Sequence, residues 1–572
     1  MQIIPYMHLL NPKHPDYSHL DEKTKKILTS TIAFFESKGK KKLKADDHAY
    51  LWYEDFITHL KNENVFSSLL APPTYGHEGS RFDNFRNCYF NEILGFYGLS
   101  YWYVWQVSIL GLGPIWNSKN TKVKEETKRD LLAGGVFGFG LSEKEHGADL
   151  ISSDMKLIPQ EDGTYLARGS KYYIGNGNVG KRISVFGKNA KTGKFVFFAV
   201  RTDHPKYKLI QNVVQSQKYV AEFQLDDYPI TEDDILSKDR DAWDAALATV
   251  AYAKYNLGWA SIGIATHAFH EALNHATNRK LFNESVANFP HIKRLFIDAY
   301  VRLIAMKSFA FRACDYMRAS STEDRRYLLF NPMVKMKVTM QAEEVINHLW
   351  DVIAARGFEK DMYFEMATRD IRMLPKLEGT VHINMMLVNQ FLNAYLFEKK
   401  PAPKVPHITE PKSDDFLFAQ GATTKATKNV ALGNYEEVYN KFSTPNLEIF
   451  KSQIKLFVEL IQELALSKED STDIDLMLSI GELLTLIIYG QLILEYAEFD
   501  KTDNDTLDMI FHVFIRDFSR YATDLAGKEK ISESKSKSCL KLIKKAHYDQ
   551  SQIDSFYQKS VLSLKDSYRM ND

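Results

Sequence analysis

In RDIRMLPKLEGTVHIN (369–384), Pro375 stops one helix and Thr380 can N-cap the next, which leaves Glu378 and Gly379 in the connector between them. A carboxylate held between two helix ends can reach into a cleft as a general acid or base. On residue type alone it also reads as an ordinary solvated loop side chain. A second candidate is Gly175-Asn-Gly-Asn-Val-Gly180, which spells the G-x-G-x-x-G spacing that cradles a dinucleotide pyrophosphate. That chemistry needs a strand before the glycines and a helix after them, because the helix N-terminus supplies the amide donors. KYYI can be the strand, but KRISVFGKNAKTGKFVFFAV alternates like further strands with a turn at 189–193, and Asn176-Gly177 is a hairpin signal. The local reading is a β-hairpin. A third candidate, His267, Glu271 and His275, falls at i, i+4 and i+8 on one helix face. It misses the H-E-x-x-H zinc spacing by one residue and reads as the wet side of a bundle helix, so no metal is assigned.

The elements that must position these residues follow from the periodicity. Residues 1–133 carry apolar residues at helical spacing, in runs such as HLDEKTKKILTSTIAFFESK, AYLWYEDFITHLKNEN, FNEILGFYGLSYWYVWQVSILGLG and VKEETKRDLLAGG. From 134 to 240 the grammar changes to short alternating segments with frequent glycine, a β domain. Residues 241–400 return to long amphipathic helices that end around the Glu378 connector. A Pro- and charge-rich joint, 401–415, leads to a further helical segment at 416–572. The expected fold is a multidomain α+β chain: a helical domain, a central β domain, a second helical domain and an extra C-terminal helical bundle.

Bulk composition removes several function classes. A chain of 572 residues is large enough for three or four cores at about 150 residues each. Acidic and basic residues balance at 73 each, so no long-range field favours nucleic acid, and the short basic runs SESKSKSCLK and LKLIKKAH read as solvated helix faces. Cys88, Cys314 and Cys539 have no framework spacing and fit a reducing compartment. MQIIPYMHLLNPKHPDY reads as neither a secretory nor a transit sequence, and a cytoplasmic protein is expected. MLSIGELLTLIIYGQLILEYAEF (477–499) is interrupted by Glu482, Gln491 and Glu495, short of about 20 uninterrupted apolar residues. It reads as a buried helix, and no integral membrane segment is expected.

Four stretches together resemble one family. GFGLSEKEHGADL (138–150) is similar to the acyl-CoA dehydrogenase pattern apolar-T-E-P-x-A-G-S-D, and SKYYIGNG is similar to G-x-K-x-aromatic-I-(S/T)-N-(G/A). RKLF (279–282) resembles R-x-x-F-G, and IAARGFEKDMYFEMATRDIRMLPKLEGT (353–380) resembles G-G-x-G-(Y/F), then R-D, then E-G-T, without a gap. The four occur in the family's order with α, β and α grammar between them, over roughly residues 20 to 400. The additional C-terminal bundle resembles the layout of the very-long-chain members.

The resemblance implies that the β domain is a barrel or sandwich and that 241–400 is a four-helix bundle, and it implies bound FAD and α,β-dehydrogenation of an acyl-CoA thioester to the trans-2-enoyl-CoA. Glu378 would take the α-proton while the β-hydrogen leaves as hydride to flavin N5. Family branches that carry the base on another helix have it at the position of Ala253 here, so Glu378 is the sole candidate. The flavin would meet Leu141, Ser142, Tyr173, Gly175, Thr380 and His382. Its pyrophosphate side would meet Arg279, Phe282, Asp351 and Ala355. The acyl-CoA would meet Ala148, Lys254 and Gly379. Several of these depart from the pattern: Ala148 replaces a serine, Gly175 a Ser or Thr, Lys254 an arginine, Ala354-Ala355 a glycine pair and Asp351 a glutamine. The implied partners are an electron-transfer flavoprotein or similar acceptor and a second copy in a homodimer. An O2-using oxidase on the same scaffold, or a catalytically lapsed binding or assembly protein, are the alternatives.

Overall fold

The computed structural model describes residues 9–423 and 430–572. The first eight residues of the N-terminal stretch read above, and 424–429 in the C-terminal segment, lie outside the described residues. Helices α1 (Glu22–His48), α2 (Glu54–Asn62), α3 (Val65–Leu69), α4 (Asn84–Tyr97), α5 (Leu99–Asn117) and α6 (Thr121–Leu132) come first. Asp21 caps α1 and Asp83 caps α4, each accepting from backbone amides of the first turn. The aromatic run read as one helix breaks at Gly98 into α4 and α5. The Leu99 amide at the start of α5 donates 3.3 Å to Asp370, a residue far along the chain.

Eight strands follow: β1 (Phe137–Gly140), β2 (Lys156–Pro159), β3 (Tyr165–Gly175), β4 (Arg182–Asn189), β5 (Phe195–Val200), β6 (Tyr207–Asn212), β7 (Val220–Ile230) and β8 (Ile235–Lys238). They form one sheet in the order β6-β7-β3-β2-β4-β5-β8, with β1 parallel to β4. The turn read at 189–193 does join β4 and β5, with Asn189 Oδ1 accepting from the amides of Lys191 and Thr192. The hairpin read at Asn176-Gly177 is corrected. β2 lies between β3 and β4, so the GNGNVG segment carries the chain across the sheet instead of folding it back on a neighbour. Asn176 holds that crossing from inside: it is buried at φ +58°, and its amide donates to Phe137 O at 2.8 Å and Val104 O at 3.2 Å.

The second helical region comprises α7 (Asp239–Ala253), α8 (Asn256–Asn278), a short hairpin of β9 (Lys280–Leu281) and β10 (Glu284–Ser285), α9 (Pro290–Arg318), α10 (Tyr327–Met333), α11 (Thr339–Ile353), α12 (Tyr363–Ile371) and α13 (Val381–Asn389). An irregular segment leads to α14 (Phe416–Ala419), α15 (Tyr435–Tyr439), α16 (Pro445–Leu464), α17 (Ile474–Asp500), α18 (Asn504–Ala526), α19 (Glu533–Leu540) and α20 (Gln550–Phe556). The expected α+β architecture with extra C-terminal helices is the one found. By length and composition α17 could cross a membrane, but it is a core helix here, 89% of its apolar window being buried. Its polar interruptions are its contacts: Glu482 pairs with Lys337 at 3.0 Å, Glu495 with Arg312 at 2.7 Å, and Gln491 accepts from the Tyr395 hydroxyl at 2.5 Å. The C-terminal helices are thereby tied to the second helical region.

Candidate functional site

The connector between α12 and α13 turns on two left-handed residues, Glu378 at φ +54° and Gly379 at φ +83°. A non-glycine residue in that region is strained by about 1 kcal/mol or more and persists only where its surroundings hold it. Here they do. Thr380 caps α13 as read, its hydroxyl accepting from the Ile383 amide. Asn384 Nδ2 donates to Gly379 O at 3.1 Å and to Thr380 O at 2.9 Å. Lys335 Nζ donates to Pro375 O at 2.7 Å and also to Gly379 O, and Lys254 Nζ donates to Asn384 Oδ1 at 3.0 Å.

Glu378 is half-buried, and desolvation raises its pKa against the opposing pull of the Lys254 and Lys335 ammoniums and a hydrogen bond from Gln106. Burial in turn lowers Lys254 to about 8 and Lys335 to about 7, with the charge of Glu378 resisting in both. Tyr103 of α5, raised by burial and then by the Glu378 charge, stands on the other side. Gln106 is buried and anchored to Ala253 O at 3.2 Å, and it accepts from Asn256 at 2.9 Å. The arrangement is a carboxylate with a raised proton affinity, ringed by donors and cations that keep it ionised. That suits a general base.

Tyr103 also lies against Gly175 at the end of β3, an inner strand of the sheet. Lys171 of β3 is fully buried and donates to Glu143 at 2.7 Å and to Leu141 O at 2.9 Å. Glu143 accepts in addition from the Ser153 hydroxyl and from the amides of Asp154 and Met155. The pair locks the 141–143 loop to β3, and a second clasp lies beside it: Ser142 Oγ donates to Tyr172 O at 2.7 Å and the Tyr172 amide returns a bond to Ser142 O. A bulge after Lys171 puts Tyr173 at φ +64° and leaves the residue 58% exposed, next in the chain to the Tyr172 that Ser142 clasps. Gly175 is buried against α5: a Cβ there would lie 2.6 Å from Val107 and 2.7 Å from Tyr103. The hydroxyl residue expected from the resemblance does not fit in this chain. Gly175→Ser is expected to cost about 1–3 kcal/mol by overpacking, read as a lowered thermal unfolding midpoint.

The other predicted residues lie on the rim. Arg279 follows α8 and is exposed, and Phe282, at the tip of the β9–β10 hairpin, is 94% exposed. Asp351, Ala355, His382 and Ala148 are exposed, and Ala354 takes φ +56°, a conformation suited to the glycine it replaces. No contact joins Arg279, Phe282, Asp351 or Ala355 to Glu378 within the described residues of one chain. The histidine stripe is corrected: His267 is buried between Phe96 and Tyr363, with ring centroids at 4.4 and 3.6 Å, and Glu271 pairs with Lys40 at 3.0 Å. His267 is core, not the wet face, while Glu271 and His275 are half-buried.

Sequence reading missed Lys335, Asn384, Gln106, Tyr103, Glu143, Lys171 and Arg356. Of these, only Glu143 and Lys171 had a signal, since they are the E and K of two quoted motifs. Arg356 and Arg279 both act on His275, which burial and then these two charges push toward its neutral form. An exposed aromatic next in the chain to a residue clasped by a hydroxyl is suited to an aromatic ring, and a pair of guanidiniums near His275 is suited to an anionic group.

Residues 241–392 match the family model described as acyl-CoA dehydrogenase, C-terminal domain. The 3-(aryl)acrylate reductase of Clostridium sporogenes is 23% identical over 273 residues, 46% of this chain and 71% of that protein. The human mitochondrial very long-chain specific acyl-CoA dehydrogenase is 24% identical over 285 residues, 47% of this chain and 43% of that protein. The solved acyl-CoA dehydrogenase complexed with FAD from Bacillus anthracis aligns over 98% of this chain and 97% of its own, with a TM-score of 0.76 at 15% identity. At that identity the likeness is one of fold, and it extends through the C-terminal helices.

Proposed function

We propose that this chain, whose residues 241–392 match the acyl-CoA dehydrogenase C-terminal domain and whose fold is similar to that of a solved member, is an FAD flavoenzyme that dehydrogenates an acyl-CoA thioester between Cα and Cβ. The observation that carries this reading is Glu378, the half-buried carboxylate whose connector is pinned by Lys335 and Asn384. Tyr173, Ser142, Leu141, Thr380 and His382 would hold the cofactor's ring system, and Arg279 and Arg356 would hold its pyrophosphate. When bound, FAD supplies the two-electron acceptor for the β-hydrogen. Glu378 removes the α-proton. Its raised proton affinity makes it a stronger base, while Lys254, Lys335 and Gln106 keep it ionised between turnovers. Negative charge then develops on the thioester oxygen, where one well-placed donor is worth about 3 kcal/mol. Gly379 and Lys254 lie beside the base, where the thioester must bind.

The rim residues support a homodimer: Phe282 presents an almost fully exposed ring on a hairpin, and Phe358 is 67% exposed close to Arg356 in the chain. We assign the reoxidising partner to an electron-transfer flavoprotein or a carrier of that kind. The test is an anaerobic titration of the FAD-loaded full chain with saturated acyl-CoAs from short to very long. Loss of the oxidised flavin's visible absorbance with one chain-length class is expected. A chain that takes up no FAD, or whose flavin no acyl-CoA reduces, removes the reading. Admitting air and measuring peroxide separates a dehydrogenase from an oxidase.

A further inference from the structure

A single lysine grips the Glu378 connector from behind. Lys335 is completely buried in the π-helical turn 334–338 that links α10 to α11. Its ammonium donates to Pro375 O and to Gly379 O, carbonyls that bracket Glu378 three residues before and one residue after it. Gly379 O accepts a second bond from Asn384, whose own carbonyl oxygen is held by Lys254. The strained turn is therefore fixed from two sides, by an ammonium and by an amide that a second ammonium orients. A buried carbonyl without a donor is costly, so the connector has no comparable arrangement once Lys335 is gone.

We propose that Lys335 is the positioning residue of the base: it fixes the Glu378 turn through two carbonyls and, as a cation facing the carboxylate, holds the base ionised. The inference rests on the reading of Glu378 as the α-proton base. The groups that face Glu378 are Lys335, Lys254 from the end of α7, and Gln106 and Tyr103 from α5. Lys335 in turn faces Lys254, Glu378 and Lys376. Burial is the largest influence on Lys335 and the like charge of Lys254 acts in the same sense, so Glu378 is what favours its charged form. The coupling is reciprocal, because an opposite charge at close range favours the ionised state of both partners. Removing Lys335 raises the pKa of Glu378, and the protonated, inactive base then persists to higher pH.

Two variants separate the clamp from the charge. Lys335→Gln keeps a donor that can reach the carbonyls and removes the cation, whereas Lys335→Met removes both. In the FAD-loaded full chain, with the saturated acyl-CoA that reduces the wild type fastest as probe, the acid limb of kcat/KM is expected to move up by about one pH unit in both variants. The pH-independent maximum is expected to fall about tenfold further in Lys335→Met than in Lys335→Gln. A second readout needs no flavin: thermal unfolding of the FAD-free chain across pH for wild type, Lys335→Gln, Glu378→Gln and the double variant, where the two substitutions are expected to couple instead of adding. An acid limb in Lys335→Gln that coincides with wild type overturns the proposal, and so does an additive cycle. If Lys335→Met does not fold, the glutamine variant and the cycle still decide. Failure of the base assignment is seen separately, as normal turnover in Glu378→Gln.

Discussion

Glu378→Gln lowers the rate of flavin reduction by acyl-CoA about 10³- to 10⁴-fold while FAD stays bound, measured by stopped flow beside the visible spectrum of the purified variant. The substitution preserves shape, so the connector should keep its left-handed turn and its bonds to Lys335 and Asn384, which go to main-chain and neighbouring atoms, not to the carboxylate. What it removes is the only group on the connector that can accept a proton at neutral pH. A tenfold change in rate is about 1.4 kcal/mol of barrier, so the expected loss corresponds to about 4–6 kcal/mol. The proposed flavin contacts at Ser142, Tyr173 and Arg279 lie on other elements and are untouched, which is why loading and reduction are expected to separate in this variant. Reduction at the wild-type rate would place the base elsewhere. Ala253, the position the resemblance gives for a base on α7, has no proton to take or give, so that position could not rescue the assignment.

The legibility of this chain divides by the range of the interactions that decide each feature. The α, β, α alternation was readable because periodicity is local, and so was the Thr380 cap, which depends on an amide three residues away. The turn after β4 was readable for the same reason, since Asn189 bonds to residues two and three positions on. The GNGNVG stretch misled because Asn-Gly favours a hairpin locally, while the insertion of β2 between β3 and β4 is decided by the whole sheet. Gly98 breaks the aromatic helix where a carboxylate from α12 meets the Leu99 amide, and nothing in FYGLSYW announces that partner. Burial pushes that Asp370 up to about 7, a mark of how far from water the junction lies. His267, Glu271 and His275 share a polar pattern with any exposed stripe. Only the packing of α12 against α8, which brings Tyr363 onto the imidazole, makes His267 core. Lys335 was the least legible. It lies in VKMKV, an undistinguished run, and its two carbonyl partners are 40 and 44 residues away. The connector itself could be found from Pro375 and Thr380, but what holds it could not.

Lys171→Met is expected to destabilise the chain by about 3–5 kcal/mol, because it strands a buried carboxylate instead of removing a pair. Lys171 has no exposed surface and Glu143 only 7% of its side chain, at 2.7 Å from each other. Burial lowers Lys171 to about 8 even with the carboxylate in contact, and Glu143 is held below its ordinary value against its own desolvation by Lys171, Ser153 and the amides around it. Without the ammonium, Glu143 keeps three donors but loses its counter-charge, and Leu141 O loses its donor as well. The same loop carries Ser142, so the damage is directed at the proposed ring site. The variant should therefore lose FAD affinity beyond what its lower thermal midpoint explains, and calorimetry together with flavin retention on dilution would measure both. Adding Glu143→Leu to Lys171→Met distinguishes a charge effect from a packing effect. If the stranded charge is what costs, the double variant recovers stability relative to the single one, since an apolar pair of similar volume is often neutral against a buried ion pair. If the double variant is less stable still, Glu143 acts chiefly through Ser153, Asp154 and Met155, and the lock between the two motifs is one of loop geometry instead of charge.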